Sequence, residues 1–361
     1  MSHVLVVGGH GVVGRAAVEY FTSLPGRRVT ALSRRPPNFP TSATFVPVDL
    51  LDRRACFDGL APLSDITHVV YAALFEQGSV VAGWVESEQV RVNLEMFANL
   101  LDAVEAAAPG LRHVTLMQGG KAYGVHLGPQ KRMIAKESDP RTMPPNFYYD
   151  QEDFVRERQA GKAWSWTALR PPNVAGRAIG SPMNTVLAIG VFAAISREAG
   201  IPLRYPGGLG HLRDACDARI LAQAIEWAGE TPACANEIYN ITNGDLLTWE
   251  DAWPQFAAVF GMECGTPHTF SLAKVMADKG PLWQRIVERY GLQPHPIEAL
   301  VPSWEFTDFS LRYGQAPAPT LLSTIKARRD GFTPCADSEA MYVELLRWYQ
   351  SEKILPPPMS S

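Results

Sequence analysis

The sequence predicts an α/β protein: a doubly wound parallel sheet joined to a smaller, mainly helical lobe. Three observations carry this. Short runs rich in β-branched residues alternate with longer amphipathic segments through the first half, the pattern of a parallel sheet covered on both faces. A glycine-rich turn directly follows the first of these runs. Beyond Arg170 the spacing becomes irregular and rich in proline and glycine, which breaks the alternation and fits a separate lobe.

Taken in order, strands are expected at residues 4–7, 29–32, 44–48, 68–72 and 113–116. The strongest helical segment runs from 86 to 108, and a helix over 151–158 leads into a sixth strand at 165–169. The expected division is a nucleotide-binding unit over 1–175, to which segments around 209–245 return, and a lobe drawn mainly from 176–361. No internal repeat is visible, and only the tail Pro356-Pro-Pro358 is low in complexity.

The 361 residues are 46% hydrophobic and 19% charged, enough for a large core in one to two domains. The formal net charge of −4, with no basic block, points away from nucleic acid or an anionic membrane and toward a small-molecule partner. The five cysteines, Cys56, Cys216, Cys234, Cys264 and Cys335, are widely spaced and form no Cys-x-x-Cys, as reduced thiols would be. The first strand begins almost at once without a charged leader, and the longest apolar stretch, 186–195, is too short to span a bilayer. A cytoplasmic enzyme is expected.

The turn reads Val4-Leu-Val-Val-Gly8-Gly-His-Gly11-Val-Val-Gly14 and opens a helix containing Ala16 and Ala17. Backbone amides that must approach a pyrophosphate exclude side chains, which favours glycine at Gly8, Gly11 and Gly14 and places Val12 and Val13 beside the phosphates. This is a Rossmann-type dinucleotide site. Ser33-Arg34-Arg35 stand at the end of the second strand, where an acid would bond the ribose of NADH. Guanidinium groups suit a 2′-phosphate instead, so NADPH is expected. Asp49, beside Leu50, is a candidate adenine contact or helix cap. Ala72 ends the fourth strand and Asn173 and Val174 follow the sixth, at the same carboxyl edge, and Asn173 suits either the nicotinamide carboxamide or a turn.

Hydride transfer requires a group that stabilises the oxygen on which charge develops. A phenol can do this, with a lysine to lower its pKa and hold the nicotinamide ribose. Neither tyrosine of Asn146-Phe147-Tyr148-Tyr149 has a lysine four residues on; Glu152 and Asp153 stand there. The lysine placed for the role is Lys121, in Gln118-Gly-Gly-Lys121-Ala-Tyr123 after the fifth strand.

Together, Ser33-Arg34-Arg35, Gly119-Gly-Lys121-Ala-Tyr123-Gly124, Asn146-Phe-Tyr148-Tyr149-Asp-Gln-Glu152-Asp153, Arg170-Pro-Pro-Asn173-Val-Ala-Gly176, Asn240-Ile-Thr-Asn-Gly244-Asp and Trp304-Glu-Phe306-Thr-Asp308 resemble the progesterone 5β-reductase/iridoid synthase-like family over nearly the whole chain. The resemblance implies Lys121 and Tyr148 as the catalytic pair, with Tyr149 the second choice. It implies NADPH-dependent 1,4-reduction of an enone or enal: hydride to the β-carbon, Tyr148 stabilising the enolate oxygen, and a proton to the α-carbon. Phe306 falls where the family places an aromatic residue over the substrate. Met183 and Leu127 lie in pocket-lining stretches. Plant members read His-Tyr-x-Gly-Pro-Phe after the lysine, whereas this chain reads Ala122-Tyr-Gly-Val-His126-Leu127. Steroid or iridoid specificity therefore does not transfer, and small enones are the expected class for a microbial relative. The helices over 86–108 and 151–158 occupy positions through which related reductases form homodimers, an expectation by analogy.

Other residues have plainer readings. Asn93 reads as a helix-packing polar residue or as the structural or catalytic Asn that reductases of this superfamily often hold in this helix, His10 as a solvent-facing loop side chain or a neighbour of the phosphates, and Asp214 and Asp217 as helix caps. Trp249, Trp253, Phe256 and Phe260 fit the inward face of an amphipathic helix. The eight histidines form no metal-ligand pair, and there is no Gly-x-Ser-x-Gly elbow. Two alternatives share the scaffold: a carbonyl reductase or sugar-nucleotide epimerase, and a redox sensor that binds NADP without turnover.

Overall fold

The structure is a computed structural model and describes residues 2–76, 83–84, 86–128, 132–143, 145–315 and 321–359. Seven strands form the central sheet: β1 (Ser2–Val7), β2 (Arg27–Ser33), β3 (Thr44–Pro47), β4 (His68–Tyr71), β5 (His113–Met117), β6 (Ser165–Arg170) and β7 (Glu237–Asn240). All pairings are parallel, in the order β7-β6-β5-β4-β1-β2-β3. The order reverses between β1 and β4, which opens a ligand crevice at the carboxyl ends of those strands.

The helices used below are α1 (Val12–Ser23), α2 (Arg53–Leu60), α3 (Ser87–Ala107), α4 (Phe147–Gln159), α5 (Thr185–Glu198), α6 (Ala218–Glu230), α7 (Trp249–Val259), α8 (Gly280–Tyr290), α9 (Trp304–Ser310) and α10 (Ser338–Ser351). Alternating side chains of each strand face opposite sides of the sheet. Leu5, Val7, Val69 and Leu116 pack with Phe97 and Leu100 of α3, while Val4, Val6, Val29 and Val70 pack with Val18 of α1 and Leu221 of α6. Burial on both faces is why these strands read as continuous apolar runs.

Most element ends shift by one or two residues, and two departures from the sequence reading are larger. The helix expected from 151 begins at Phe147, because Asn146 caps it by accepting the Tyr148 amide at 3.1 Å; both tyrosines thus enter its first turn. A seventh strand, β7, also joins the sheet. It has only Ile238 and Tyr239 as apolar residues and follows Asn236, at φ 63°, so no run of hydrophobic residues announces it.

A further core gathers α5, α7 and α10 with Leu203, Tyr205, Trp283 and Ile286. Residues 185–196 of α5 are all buried, which explains the apolar stretch there; no helix among the described residues is long and apolar enough to cross a membrane. Trp249, Trp253, Phe256 and Phe260 belong to this core. Helix α10 ties it to the sheet. The Tyr349 hydroxyl accepts hydrogen bonds from Ala178 N at 2.9 Å and Asn184 Nδ2 at 2.8 Å. The Arg15 guanidinium on α1 lies between the rings of Phe39 and Trp348, at 4.6 and 4.9 Å.

Candidate active site

The turn after β1 is shaped by contacts that leave no room for a Cβ. Gly8 has φ 86°, and a Cβ there would stand 2.8 Å from the Ala72 carbonyl; one at Gly14 would stand 2.1 Å from Gly8 O. Gly11 caps α1 without a side-chain hydrogen bond, and no acid sits in the first turn. The amides of Val12, Val13 and Gly14 therefore open a positive helix end suited to a pyrophosphate. At Gly176, after Val174, a Cβ would lie 2.8 Å from Val12 Cγ1, so the segment after β6 packs against the same turn.

The arginine loop is fixed through its backbone. Ser33 Oγ and His10 Nε2 both donate to Arg35 O, at 2.7 and 2.5 Å. His10 thus joins the glycine turn to the arginine loop rather than simply facing solvent. Arg34 and Arg35 are exposed. Asp49 is exposed and accepts the Leu51 amide at 3.1 Å; the cap of α2 is Asp52, which accepts Ala55 N at 2.9 Å. Leu50 is buried in the core, its carbonyl held by Asn99 Nδ2 at 2.9 Å.

Lys121 lies in the turn after β5, and Tyr148 opens α4. Asn146 joins them by donating from Nδ2 to Lys121 O at 2.9 Å while capping α4, and Gln118 Nε2 donates to Tyr148 O at 3.0 Å. Lys121 Nζ is buried without a hydrogen-bond partner. It lies 4.9, 4.8 and 5.2 Å from the ring centroids of Trp84, Phe147 and Tyr148. Burial pulls its pKa down to about 8, opposed by the charge of Glu76. Burial, and then Glu76, push the Tyr148 phenol well above its usual range, with Arg170 opposing. Lys121 sits over the phenol ring rather than at its oxygen. The expected lowering by lysine is thus absent, and Arg170 is the cation that acts in that direction.

The neighbouring Tyr149 is committed elsewhere: its hydroxyl donates to Ala122 O at 2.8 Å and accepts Thr142 N at 3.0 Å. Glu152, one turn after Tyr148, pairs with Arg170, Arg141 and Arg156 at 2.9, 3.1 and 3.2 Å. A lysine at 152 would meet three guanidinium groups. Asn93 accepts Phe75 N and donates to Phe75 O, each at 2.9 Å, so it clamps the segment after β4.

On the substrate side, Phe306 and Met183 cluster with Trp84 and Phe309. The Trp84 ring meets those of Phe309 at 5.2 Å, His126 at 5.9 Å and Phe306 at 6.4 Å. Leu127 stands outside this cluster, 42% exposed, because the 3₁₀ turn Val125–Leu127 directs His126 inward instead. Asn173 donates to Thr185 Oγ1 at 2.8 Å and Ser310 Oγ at 2.9 Å; its amide hydrogens bind α5 and α9 rather than serving a turn. Asp217 caps α6, accepting Arg219 N at 2.7 Å. Asp214 does not cap; it accepts Leu322 N at 2.7 Å, and burial raises its pKa to about 6.

Trp84 and Glu76 escaped the sequence reading, since no periodic pattern or motif surrounds them, and His126 and Phe309 were passed over beside Leu127 and Phe306 in the stretches that were singled out. The feature that could have found Glu76 is an acid directly after an apolar strand end, Tyr71-Ala-Ala-Leu-Phe-Glu76. Among the described residues, no three His, Cys, Asp or Glu side chains are grouped to hold a metal.

A dinucleotide cradle with a buried lysine and tyrosine at the carboxyl edge of a doubly wound sheet defines a class: an oxidoreductase of the extended short-chain dehydrogenase/reductase type that binds a nicotinamide cofactor. The profile of the NAD dependent epimerase/dehydratase family matches residues 4–242. An (S)-8-oxocitronellyl enol synthase of Nepeta cataria is 32% identical over 377 residues, covering 98% of this chain and 93% of the relative. A short chain dehydrogenase of Penicillium aethiopicum is 31% identical, covering 97% and 98%. The chain belongs to the NAD dependent epimerase/dehydratase family and, within it, to the progesterone 5β-reductase/iridoid synthase-like group. Among solved structures, UDP-glucose 4-epimerase of Thermotoga maritima with UDP-glucose superposes at TM-score 0.68 and 18% identity, covering 97% of this chain and 99% of that one. The Thermus thermophilus enzyme, in complex with NAD, gives 0.65 and 22%, covering 96% and 99%. At such identities the likeness is one of fold.

Proposed function

We propose that the protein reduces the activated C=C bond of small enones or enals with NADPH. The observation that carries this reading is the Tyr148 phenol, buried beside Lys121 in an aromatic cage, where burial also pushes its pKa upward. Carbonyl reduction creates an alkoxide that must take a proton from its acid, which calls for a phenol of lowered pKa. Conjugate reduction creates an enolate, whose spread charge is stabilised by a hydrogen bond from a phenol that keeps its proton. The names of the enol synthase relatives agree with chemistry at that oxidation level.

We assign the cofactor to residues 1–175 with 209–245, and the substrate mainly to 176–361. Gly8, Gly11, Val12, Val13 and Gly14 receive the pyrophosphate, Ser33, Arg34 and Arg35 the 2′-phosphate, and Ala72, Asn173 and Val174 border the nicotinamide end. The reduced nicotinamide, when bound, supplies the hydride. Tyr148 donates a hydrogen bond to the substrate oxygen while keeping its proton, Lys121 holds a positive charge beside it, and the enolate takes a proton at the α-carbon from solvent. Trp84, Met183, Phe306 and Phe309 exclude water and orient an apolar alkene.

The test is NADPH oxidation with 2-cyclohexen-1-one and a linear enal, with products identified by mass and retention time. Saturated carbonyl products are expected. Allylic alcohols would replace this reading with carbonyl reduction, and tight NADPH binding without turnover would favour a sensor.

A further inference from the structure

We propose that Glu76 is the counter-charge that keeps Lys121 cationic in its aromatic cage, and thus a positioning residue that acts on the reduction through the lysine. The proposal rests on the reading above, in which Lys121 works as a cation, and it adds a residue from a different strand end.

Helix α3 holds Glu76 in place at two points. Asn93 bonds both the amide and the carbonyl of Phe75, the preceding residue. Gln89 Nε2, also on α3, donates to Glu76 Oε2 at 3.3 Å. The other carboxylate oxygen, Oε1, is buried without a hydrogen-bond partner, as is Lys121 Nζ. A buried carboxylate oxygen and a buried ammonium, neither with a hydrogen-bond partner, thus stand at one cage, whose Trp84 also acts on Glu76. Each acts on the other: Glu76 is the group whose charge raises the Lys121 pKa, and Lys121 is the first cause opposing the burial that raises that of Glu76.

The remaining ionisable groups around the cage cannot take over this role. His126, from the turn after Lys121, is kept neutral near pH 7, since burial and Lys121 bring its pKa down to about 4. Tyr148, from α4, is kept protonated by burial. Arg170, at the end of β6, acts on Tyr148 but is bound to Glu152 and Gln118. Three ring faces attract an ammonium, but less strongly than loss of its water disfavours it. Without an opposite charge, a lysine buried in this way gives up its proton.

The experiment reads the charge of Lys121 without requiring turnover. Competitive acetylation of the purified protein across a pH series, quantified by mass spectrometry of the Lys121 peptide, should give a midpoint near pH 8. In Glu76→Gln the midpoint should fall by about one unit, with Glu76→Asp in between. The basic limb of kcat/KM for 2-cyclohexen-1-one should move by the same amount. A folded Glu76→Gln with an unmoved midpoint would overturn the proposal, since a purely structural residue would lower activity without moving the limb. Should Glu76→Gln fail to fold, Glu76→Asp decides: a downward shift supports the counter-charge, and none overturns it. A displaced midpoint in an enzyme that reduces no enone would support the counter-charge while removing the reduction.

Discussion

The cradle and the cage lie at the same edge of the sheet yet are built from opposite materials. The cradle is main chain from one contiguous turn, set by contacts so close that a Cβ at Gly14 would stand 2.1 Å from Gly8 O. The cage is side chain, drawn from the segment after β4, the turn after β5, the start of α4 and the helix α9. Its geometry depends on intermediaries such as Asn146, which bonds the lysine turn and caps the tyrosine helix at once. A backbone site tolerates changes in its surroundings but not in its glycines. A side-chain site has the reverse sensitivity, so adjacent residues can differ completely in role.

The largest expected effect exploits that contrast inside the cage. Tyr148→Phe should slow enone turnover by about 10² to 10⁴ with NADPH affinity retained. Tyr149→Phe should keep turnover within about threefold and lower stability by about 1–2 kcal/mol, through loss of the bonds to Ala122 and Thr142; steady-state kinetics and urea unfolding on both variants would separate them. Equal losses of turnover would erase the distinction. Next, Glu152→Lys restores a Tyr-x-x-x-Lys spacing in the sequence but sets a cation against Arg170, Arg141 and Arg156. It should destabilise the fold by about 3–5 kcal/mol in denaturant titration, whereas unchanged stability would mean the acid is dispensable.

On the cradle side, Arg34→Ala should raise the Kd for NADPH by about 10- to 100-fold, the loss of a charged contact, and barely affect NADH. Equal weakening, measured by fluorescence titration, would assign the arginine another partner. The smallest effect is one of pH. If the Lys121 cation is required, about half of the activity should be gone near pH 8, where burial has brought its pKa. Stability should move the other way. Between about 8 and the ordinary 10.5, the unfolded chain holds the lysine proton and the folded chain does not, so stability rises with pH over that window. The gap in unfolding free energy between the protein and Lys121→Met should widen in favour of the former; a narrowing gap would contradict the burial.

Most of the sheet was legible because strands buried on both faces must be continuous runs of apolar residues. The exception is β7, where Glu237-Ile-Tyr-Asn240 is short and depends on pairing with β6 for its place. The glycine turn was equally legible, since close approach leaves its mark in consecutive residues. Lys121 and Tyr148 could be singled out through family motifs, but what surrounds them could not. Trp84 and Phe309 meet at 5.2 Å from segments with no common periodicity, and His126 rather than Leu127 turns inward because of a 3₁₀ turn. Asp214 stands before a helix yet serves a segment far along the chain through Leu322 N. Such partners are chosen by the folded topology, which local spacing does not encode.

The grip of α10 on the start of α1 has a consequence for biosynthesis. Arg15 stacks on Trp348, and Tyr349 secures the strand exit that packs on Val12 through Gly176. A ribosome that has completed the glycine turn still has most of the chain to add before those two aromatic residues emerge. A nascent polypeptide therefore lacks these contacts through most of its synthesis, and the supports of its cradle close only once residues 348 and 349 are free to pack.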